Sequence, residues 1–402
     1  MVRLARHHGR KEQQSLALLF ISLSTVNSLT ITTFNILAPV HRSMKGEGEC
    51  DALPRRESER EDWWLPRAES VANYIASNYA LSDIILLQEW WFDDKFTAVF
   101  DIALSDAFEL VAERRPGAVS GTMRDDGMCC LVRRKGKLEL INSAKILTGP
   151  QRIAQLIHCK ERCSCAEEDG RHVFIANSHL SFPGDSDPTV NDMRQAMEAR
   201  IIADALIRMG KEWGDASPYI ETERLEVICG DFNSNSRGLA SSTIESPPYN
   251  FVNCASATAE QMLTHIGGQV NIGVTHCNHL GERVSVDHIF LRSVQLKTKQ
   301  NTSSISSSRN DTDQGNNREI SNRCAALALG YLDSKGTRVL NVRSDNINLE
   351  GRSVLSDHRP VTAKIVWPRN TKPRKETLTS DLYANATLPL DPLEPVWGII
   401  DE

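Results

Sequence analysis

The chain has 402 residues, of which 40% are hydrophobic, and its formal net charge is -6 at pH 7. This length is sufficient for a large core, and the acidic balance argues against a broad electrostatic grip on nucleic acid. A small substrate, or a strand held locally with metal ions, stays compatible with it. No apolar stretch reaches the roughly 20 residues of a membrane span, so we expect no transmembrane segment.

Residues 1–28 have two interpretations. Several basic residues precede a short apolar run, Leu16–Leu23, which resembles a secretory signal. Three Asn-x-Ser/Thr sequons, at Asn301, Asn310 and Asn385, also fit secretion. We favour a secretory or endoplasmic-reticulum location, because the first predicted strand begins just after this segment. A disordered or helical extension on a cytoplasmic protein is the alternative.

Short apolar runs that predict strands carry polar side chains at their ends. Leu29–Leu37 alternates like a strand and places Asn35 near its end. Ile84–Leu87 predicts a strand buried on both faces, and Glu89 follows it. A carboxylate there is costly to desolvate unless it is paired or bound to a cation, which makes Glu89 a candidate metal ligand. A surface glutamate at a strand end is the alternative.

The segment Gly230–Ser234 (GDFNS) is the motif around which the other candidates are arranged. The run Leu225–Cys229 predicts a buried strand that ends at the glycine, where the backbone turns. Asp231 could serve as a base or a metal ligand, and Asn233 could donate to a phosphate oxygen. An Asx turn that caps a strand is the alternative.

Four further candidates lie at the edges of predicted strands. They are His179 in Val173–Leu180, Asp287 in Ser285–Leu291, and Asp357 and His358 before Val361–Trp367. His179 alone could equally be a satisfied core histidine. Taken together, eight polar groups at strand edges are most simply explained as one site. Oxygen ligands without a thiolate favour a hard cation, Mg²⁺ first and Mn²⁺ second.

Two amphipathic helices are predicted from spacing. In Trp63–Tyr79 the apolar face is Trp64, Ala68, Val71, Ala72 and Ile75, and in Val190–Met209 it is Met193, Met197, Ile201 and Ala205. Arg67, on the first helix, is expected to be solvated, although it could orient a group in the site. The predicted catalytic domain spans 29–368, with a low-complexity insert at about 297–325 and a poorly ordered tail at 369–402.

Residue spacing argues against two further metal sites, one for calcium and one for zinc. Asp311–Asp313 suggests a calcium loop, but Asn316 and Asn322 stand where glycine and glutamate are required. Cys159, Cys163 and Cys165 lie near His158 with irregular spacing, which favours a loop disulfide or free thiols over zinc. The ten cysteines do not decide between redox compartments.

The ordered set of motifs resembles the endonuclease/exonuclease/phosphatase superfamily. The matching stretches are TFNIL, LLQE, DG before an apolar strand, NSHL, GDFNS, VDHIF and SDHRPV. Within it the chain looks closest to the branch of deadenylases, nocturnin and angel proteins, and to plant members described as calcium-binding. The cues are FNILAPV, Trp64-x-x-Arg67, LLQEWW and Arg152 with Ala154–Leu156. The EF-hands of those plant proteins are replaced here by the Ser/Asn-rich insert.

The resemblance implies a four-layer α/β sandwich of two packed mixed β-sheets with flanking helices, as a monomer. It also implies a Mg²⁺-dependent phosphodiesterase acting on RNA or a nucleotide, with a sphingomyelin or inositol-phosphate phosphoesterase and a non-catalytic binding module as alternatives. The implied metal ligands are Glu89, Asn35 and Asp357. The implied catalytic residues are Asp231 for water, His358 with its orienting Asp287, and His179 and Asn233 for phosphate.

Overall fold

In the computed structural model, the described residues are 28–44, 55–117, 125–162, 171–184, 186–216, 224–255, 274–277, 282–294, 338–344 and 355–367. The signal-like residues 1–27, the insert at about 297–325 and the tail at 369–402 lie outside the described residues. The three sequons and the rejected calcium loop lie outside them too. The domain boundaries therefore stay predictions.

Six strands form the first sheet. In spatial order they are β15 (Arg338–Ser344), β16 (Val361–Val366), β1 (Ser28–Asn35), β4 (Ile84–Trp91), β6 (Asp126–Arg133) and β5 (Phe108–Arg114). β1 and β4 are parallel, and the other neighbours are antiparallel. The parallel pair brings the ends of two predicted strands to the same edge of the sheet.

Six more strands form the second sheet. In spatial order they are β11 (Val252–Asn253), β14 (Asp287–Val294), β10 (Arg224–Asp231), β9 (His172–His179), β8 (Arg152–Glu161) and β7 (Leu138–Gly149). β9 and β10 are parallel, and the other neighbours are antiparallel. Two short hairpins join β2 (Ser43–Met44) to β3 (Arg55–Arg56), and β12 (His276–Cys277) to β13 (Arg283–Val284).

Helices cover the outer faces of both sheets. They are α1 (Glu61–Asn78), α2 (Asp94–Leu104), α3 (Pro188–Ala216) and α4 (Leu239–Glu245). One apolar cluster fills the space between the sheets, a second joins the first sheet to α1 and α2, and a third joins the second sheet to α3 and α4. Three apolar layers between four layers of structure confirm the predicted α/β sandwich.

Helix α1 buries the predicted face, but its arginine differs from the expectation. Trp64 packs edge-on against Trp91, with ring centroids 5.2 Å apart. Arg67 is only 8% exposed rather than solvated. Its Nη2 lies 2.5 Å from Glu57 Oε2, and its guanidinium also donates to the carbonyls of Ile36 and Leu37. Residues that follow β1 therefore supply the ion pair and hydrogen bonds that offset the cost of burying this charge.

Helix α3 is longer than predicted, and only part of the predicted face is buried. Met193 and Met197 are 61% and 57% exposed, whereas Ala199, Ile202, Ala203 and Leu206 are buried. At 3.6 residues per turn, a row spaced by four advances about 40° around the helix at each step. The predicted row therefore begins on the solvent side at Met193 and turns onto the core by Ala205, which is buried.

The described cysteines are buried thiols. Cys129, Cys130 and Cys229 are free and buried, as their apolar strands predict, and Cys159 in β8 is also free. Burial raises the pKa of Cys159 to about 12, so this thiol is unreactive at neutral pH. Cys163 and Cys165 lie outside the described residues. In the described part of the chain, none of the helices has both the length and the apolar character needed to cross a membrane.

Candidate active site

Strand register brings the predicted polar groups to one edge of the two sheets. Asn35 is the last residue of β1 and pairs with Gln88 of the parallel β4, next to Glu89. Asp231, the last residue of β10, pairs with both His179 of β9 and Asp287 of β14. The sheets pack face to face, so these two groups of side chains meet. The fold therefore brings these predicted residues together at one edge of the two sheets.

Gly230 lies inside β10 rather than at a turn, which corrects the expectation from sequence. The strand continues through Asp231. Gly230 has a φ of +136°, and a Cβ atom there would overlap the backbone carbonyl of Ser178 on β9. Glycine thus permits the close approach of β9 to β10 that sets His179 opposite Asp231.

Asp231 is the centre of the hydrogen-bond network. It is 1% exposed, and its Oδ2 accepts from Asn35 Nδ2 at 3.0 Å while its Oδ1 accepts from the backbone N of Asn233 at 2.8 Å. The pKa of Asp231 is raised to about 6, chiefly by burial; His358 opposes the rise and Asp287 adds to it. A carboxylate with a pKa near neutrality is suited to exchange a proton with water.

His358 faces Asp231 from the loop before β16. Its Nδ1 lies 2.9 Å from Asp287 Oδ2, and its Nε2 lies 3.5 Å from Asp231 Oδ2. Burial alone would lower the pKa of His358, but the carboxylates of Asp287, Asp231 and Asp357 together raise it well above its ordinary value. The imidazolium is therefore the favoured form in the folded chain.

Glu89 sits at a β-bulge in the middle of β4, not after the strand as expected. The register of β4 against β6 shifts between Gln88 and Trp90, and the extra residue, Glu89, has a φ of +61°. Its Oε1 accepts from Asn35 Nδ2 at 3.1 Å, and its Oε2 accepts from the backbone N of Ala38 at 2.9 Å. The bulge re-aims the carboxylate into the site.

Asn35 bridges the two carboxylates. Its Nδ2 donates to both Glu89 and Asp231, and its Oδ1 accepts from the backbone N of Leu37 at 3.0 Å. Because Leu37 N can only donate, this contact fixes which end of the amide points where. In this arrangement Asn35 offers the site its N–H groups rather than its carbonyl oxygen.

Two other predicted residues lie at the border of the site. Asn233 has a φ of +48°, and its Nδ2 donates to the carbonyl of Leu180 at 3.0 Å. Asp357 Oδ1 lies 3.9 Å from His358 Nε2, and the Asp357 side chain is 32% exposed. The Asp357 carboxylate is thus partly exposed to solvent at the border of the site. The amide of Asn233 is instead engaged by the loop after β9.

His179 completes the inner set. Its Nε2 lies 3.6 Å from Asp231 Oδ2 and 3.9 Å from Glu89 Oε1. Burial, followed by the nearby cations Arg115 and Arg152, holds the pKa of His179 well below its ordinary value. His179 is therefore neutral, in contrast to His358.

The donor set fits a hard divalent cation. Glu89 and Asp231 share the same Asn35 donor, and two carboxylates held this close repel each other unless a proton or a cation intervenes. Among the described residues, Asp287 Oδ1 is buried and has no hydrogen-bond partner. Carboxylate oxygens of Asp231 and Asp287 lie within 4.8 Å of each other. Carboxylate oxygens are the ligands that Mg²⁺ and Mn²⁺ prefer.

Sequence reasoning missed residues that surround the site. The ring of His276 in β12 lies against that of His358, with centroids 4.1 Å apart and planes tilted by 34°, and Asp357 completes a second His/Asp group with them. The region before β13 shows no clear periodicity, so no pattern pointed to His276. Beneath the site, Gln88 Nε2 donates to Asn177 Oδ1 at 2.7 Å and ties the two sheets together. That pair could have been suspected from polar residues inside apolar runs.

Sequence comparisons match part of the chain. No family model matches the chain. An uncharacterized calcium-binding protein of Arabidopsis thaliana is 24% identical over 272 residues, which are 66% of this chain and 51% of that protein. The chain thus spans about half the length of this curated relative.

Solved structures give a likeness across most of the chain. The crystal structure of an endonuclease/exonuclease/phosphatase from Bacteroides vulgatus has a TM-score of 0.50 at 16% identity, covering 84% of this chain and 98% of that one. The human Nocturnin catalytic domain with bound sulfate has a TM-score of 0.49 at 16% identity, covering 84% and 94%. From the layered architecture and the likeness to the Bacteroides protein, this chain has the endonuclease/exonuclease/phosphatase fold.

Proposed function

We propose that the chain is a metal-dependent phosphodiesterase that hydrolyses a phosphoester bond by attack of water, with RNA or a nucleotide as its substrate. The observation that carries the proposal is the convergence of Asp231 on four groups from other strands and loops. They are Asn35, His179, Asp287 and His358.

The proposed metal site uses Glu89 and Asp357, with Asn35 orienting Glu89. Glu89 is held at both oxygens by N–H donors, so its carboxylate is pre-positioned. A bound Mg²⁺ or Mn²⁺ would neutralise the phosphodiester and polarise its P–O bond. Asn35, assigned from resemblance as a ligand, is better placed as the residue that keeps Glu89 and Asp231 apart at a fixed spacing.

Asp231 takes the proton from the attacking water. Its pKa of about 6 leaves it mostly ionised at neutral pH yet basic enough to accept a proton. The two N–H donors on its oxygens, from Asn35 and Asn233, fix the direction of its lone pairs. Removal of either donor is expected to misorient the base.

His358 stabilises the charge that develops on phosphorus-bound oxygen. Its protonated ring is held by Asp287 at 2.9 Å and presents Nε2 to the space beside Asp231. A preorganised donor in a water-poor site is worth far more than the same donor in water. Asp287 keeps the ring oriented and charged.

The substrate assignment rests on the resemblance of the motifs to the deadenylase and nocturnin branch. A net charge of -6 favours a short or mononucleotide ligand over a long duplex. Phospholipid and inositol phosphate are the competing substrate classes, because the same core chemistry suits any phosphoester.

The test is a substrate panel with purified chain and Mg²⁺ or Mn²⁺. It comprises poly(A), DNA, NADPH, sphingomyelin and inositol phosphates. We expect hydrolysis of RNA or a nucleotide, and loss of at least about 100-fold in kcat for Asp231→Asn. Glu226→Gln is the matched control, because Glu226 is a buried carboxylate near the opposite end of β10 that pairs with Arg224 and Arg292.

Three outcomes bear on the proposal. Full activity in both Glu89→Ala and Asp231→Asn would refute the assignment of the site. Release of phosphocholine or inositol without release of nucleotides would move the substrate to the lipid or inositol class. Mg²⁺ binding by calorimetry with no hydrolysis of any substrate would favour a binding module.

A further inference from the structure

We infer that Arg115 fixes His179 in a single neutral tautomer, with the proton on Nε2, so that His179 accepts at Nδ1 from Arg115 and presents a neutral N–H donor to the site. Arg115 is thereby a positioning residue. The catalytic meaning of this role rests on the proposed function, whereas the tautomer itself does not.

The inference starts from one contact. Arg115 Nη2 lies 2.9 Å from His179 Nδ1. A guanidinium carries only donors and stays charged at any pH at which the chain folds, so Nδ1 must be the acceptor. The neutral ring then has its proton on Nε2. Arg115 and His179 are 2% and 5% exposed, so water does not compete strongly for either position.

The surroundings of Nε2 agree with a donor there. Its two nearest charged neighbours are Asp231 Oδ2 at 3.6 Å and Glu89 Oε1 at 3.9 Å, and both are acceptors. The opposite tautomer would place two N–H groups against each other at Nδ1 and a lone pair against two carboxylates at Nε2. The surroundings of both ring nitrogens therefore favour the tautomer with the proton on Nε2.

The two imidazoles of the site have opposite kinds of partner at Nδ1. His179 Nδ1 faces a guanidinium, whereas His358 Nδ1 faces the carboxylate of Asp287 at 2.9 Å. Both Nε2 atoms point to the same oxygen, Asp231 Oδ2. His358 can therefore carry a positive charge, while His179 supplies a neutral N–H. This arrangement avoids two imidazolium ions beside one carboxylate.

Arg115 is itself rigidly held. Its Nε lies 2.7 Å from Asp126 Oδ2, and neither side chain is exposed. Its Nη1 donates to the carbonyl of Gln151 at 3.3 Å. Asp126 belongs to the DG pair before an apolar strand, which is one of the motifs that carry the family resemblance. A Cβ atom at Gly127 would overlap the carbonyl of Glu113, so this glycine permits the close pairing of β5 and β6 that sets Arg115 beside Asp126.

The competing explanation is that Arg115 and Asp126 only brace the β5–β6 hairpin. In that case the His179 contact is incidental, and the tautomer of His179 should not depend on Arg115. A measurement of the tautomer separates the two explanations, because a bracing role would not move it.

The first test is long-range ¹H–¹⁵N NMR of the full chain, labelled with ¹⁵N-histidine, without metal and at one pH near 7.5. His179 signals are assigned by their absence in His179→Gln. We expect a protonated Nε2 and an unprotonated Nδ1 in the wild type. In Arg115→Met, which removes the donor, we expect a mixture that includes the Nδ1–H form or the imidazolium.

Three further variants control for folding. Arg115→Lys keeps a cationic donor and should retain more of the wild-type tautomer than Arg115→Met. The double variant Arg115→Met/Asp126→Asn avoids an unpaired buried carboxylate if the single variant does not fold. Arg224→Met is the matched control, because Arg224 is a buried arginine away from the site that forms an ion pair with Glu226 and donates to the carbonyl of Gly210.

Kinetics supply the second readout. Arg115→Met should lower kcat about 10- to 100-fold with little change in KM, as is usual for partners that orient a reacting group, whereas Arg224→Met should change neither. Arg115→Lys should recover part of the loss.

A proton on Nδ1 of wild-type His179 would overturn the inference. So would an unchanged Nε2 tautomer in folded Arg115→Met or in the double variant. If the wild type shows the expected tautomer but hydrolyses no phosphoester, the proposed function fails while the role of Arg115 stands.

Discussion

At the scale of single residues, Glu89 combines backbone strain with buried charge. A φ of +61° is unfavourable for a residue with a side chain, and such outliers typically cost about 1–3 kcal/mol. Leu37 and Asn233, which border the same site, also have positive φ. Three of the five non-glycine residues with positive φ in the described part of the chain thus border the site, which suggests that this geometry serves a function other than stability.

Replacement of Glu89 by Gln tests whether this carboxylate holds the metal ion. The amide removes one of two neighbouring negative charges, but its NH₂ group must face one of the N–H donors of Asn35 and Ala38, so Glu89→Gln should unfold at a lower urea concentration than the wild type in EDTA. With Mg²⁺ at about 100 times Kd, the wild type should gain about 2.7 kcal/mol and Glu89→Gln should gain almost nothing.

Urea titrations with and without Mg²⁺ measure both effects. The control is Glu226→Gln, which should lose stability in EDTA because Arg224 and Arg292 lose a charged partner, but should keep the gain with Mg²⁺. Equal stabilisation of Glu89→Gln and the wild type by Mg²⁺ would remove Glu89 from the metal site.

At the scale of elements, the parallel pairs β1–β4 and β9–β10 determine where the site forms. Parallel neighbours end at the same edge of a sheet, so Asn35 meets the region of Glu89, and His179 meets Asp231. The antiparallel β14 then starts at that edge with Asp287. The chemistry depends on register, because a shift by one residue would turn these side chains to the opposite face.

Gly230→Ala should disturb that register. Its Cβ atom would overlap the Ser178 carbonyl, and alanine at a φ of +136° is strained. We expect a loss of at least about 2 kcal/mol in the free energy of unfolding. Gly184→Ala is the control, because a Cβ atom there meets only the Phe182 carbonyl, at 3.9 Å.

Urea unfolding of both variants measures the difference. A Gly230→Ala protein as stable as Gly184→Ala would show that the close approach of β9 to β10 does not depend on this glycine.

Much of this element-level arrangement was predictable, and the failures have physical reasons. Apolar runs such as Ile84–Leu87 identify strands because a strand that is buried on both faces needs consecutive apolar side chains. Polar residues at the ends of these runs mark the edge of the sheet. The bulge at Glu89 depends on pairing with β6, which is distant in sequence. The burial of Arg67 depends on carbonyls supplied by another segment. His276 has no local pattern at all.

At the scale of the whole molecule, buried neutral histidines make stability depend on pH. His288 is 2% exposed, and its Nε2 donates to the carbonyl of Ser234 at 2.9 Å. Burial lowers its pKa from 6.5 to about 4. Between these values the unfolded chain binds a proton that the folded chain does not, so the contribution of His288 is full above pH 6.5 and is lost as pH falls toward 4.

His288→Gln isolates this effect, since an amide can keep the bond to Ser234 without titrating. The stability of the wild type relative to His288→Gln should fall by as much as about 3 kcal/mol between pH 7 and pH 4. Urea titrations in EDTA across this range provide the measurement. Other titrating groups, including Asp231 and His358, are common to both proteins and cancel to first order. A constant difference across the range would contradict the assignment.

The central claim for the whole molecule is that side chains from both sheets hold a divalent cation at one edge. The most direct test is a crystal of the full chain soaked in Mn²⁺ and measured for anomalous scattering. The account predicts a peak within bonding distance of the Glu89 carboxylate, close to Asp231. Well-ordered density for these side chains with no peak beside Glu89, or with a peak only elsewhere on the protein, would contradict it.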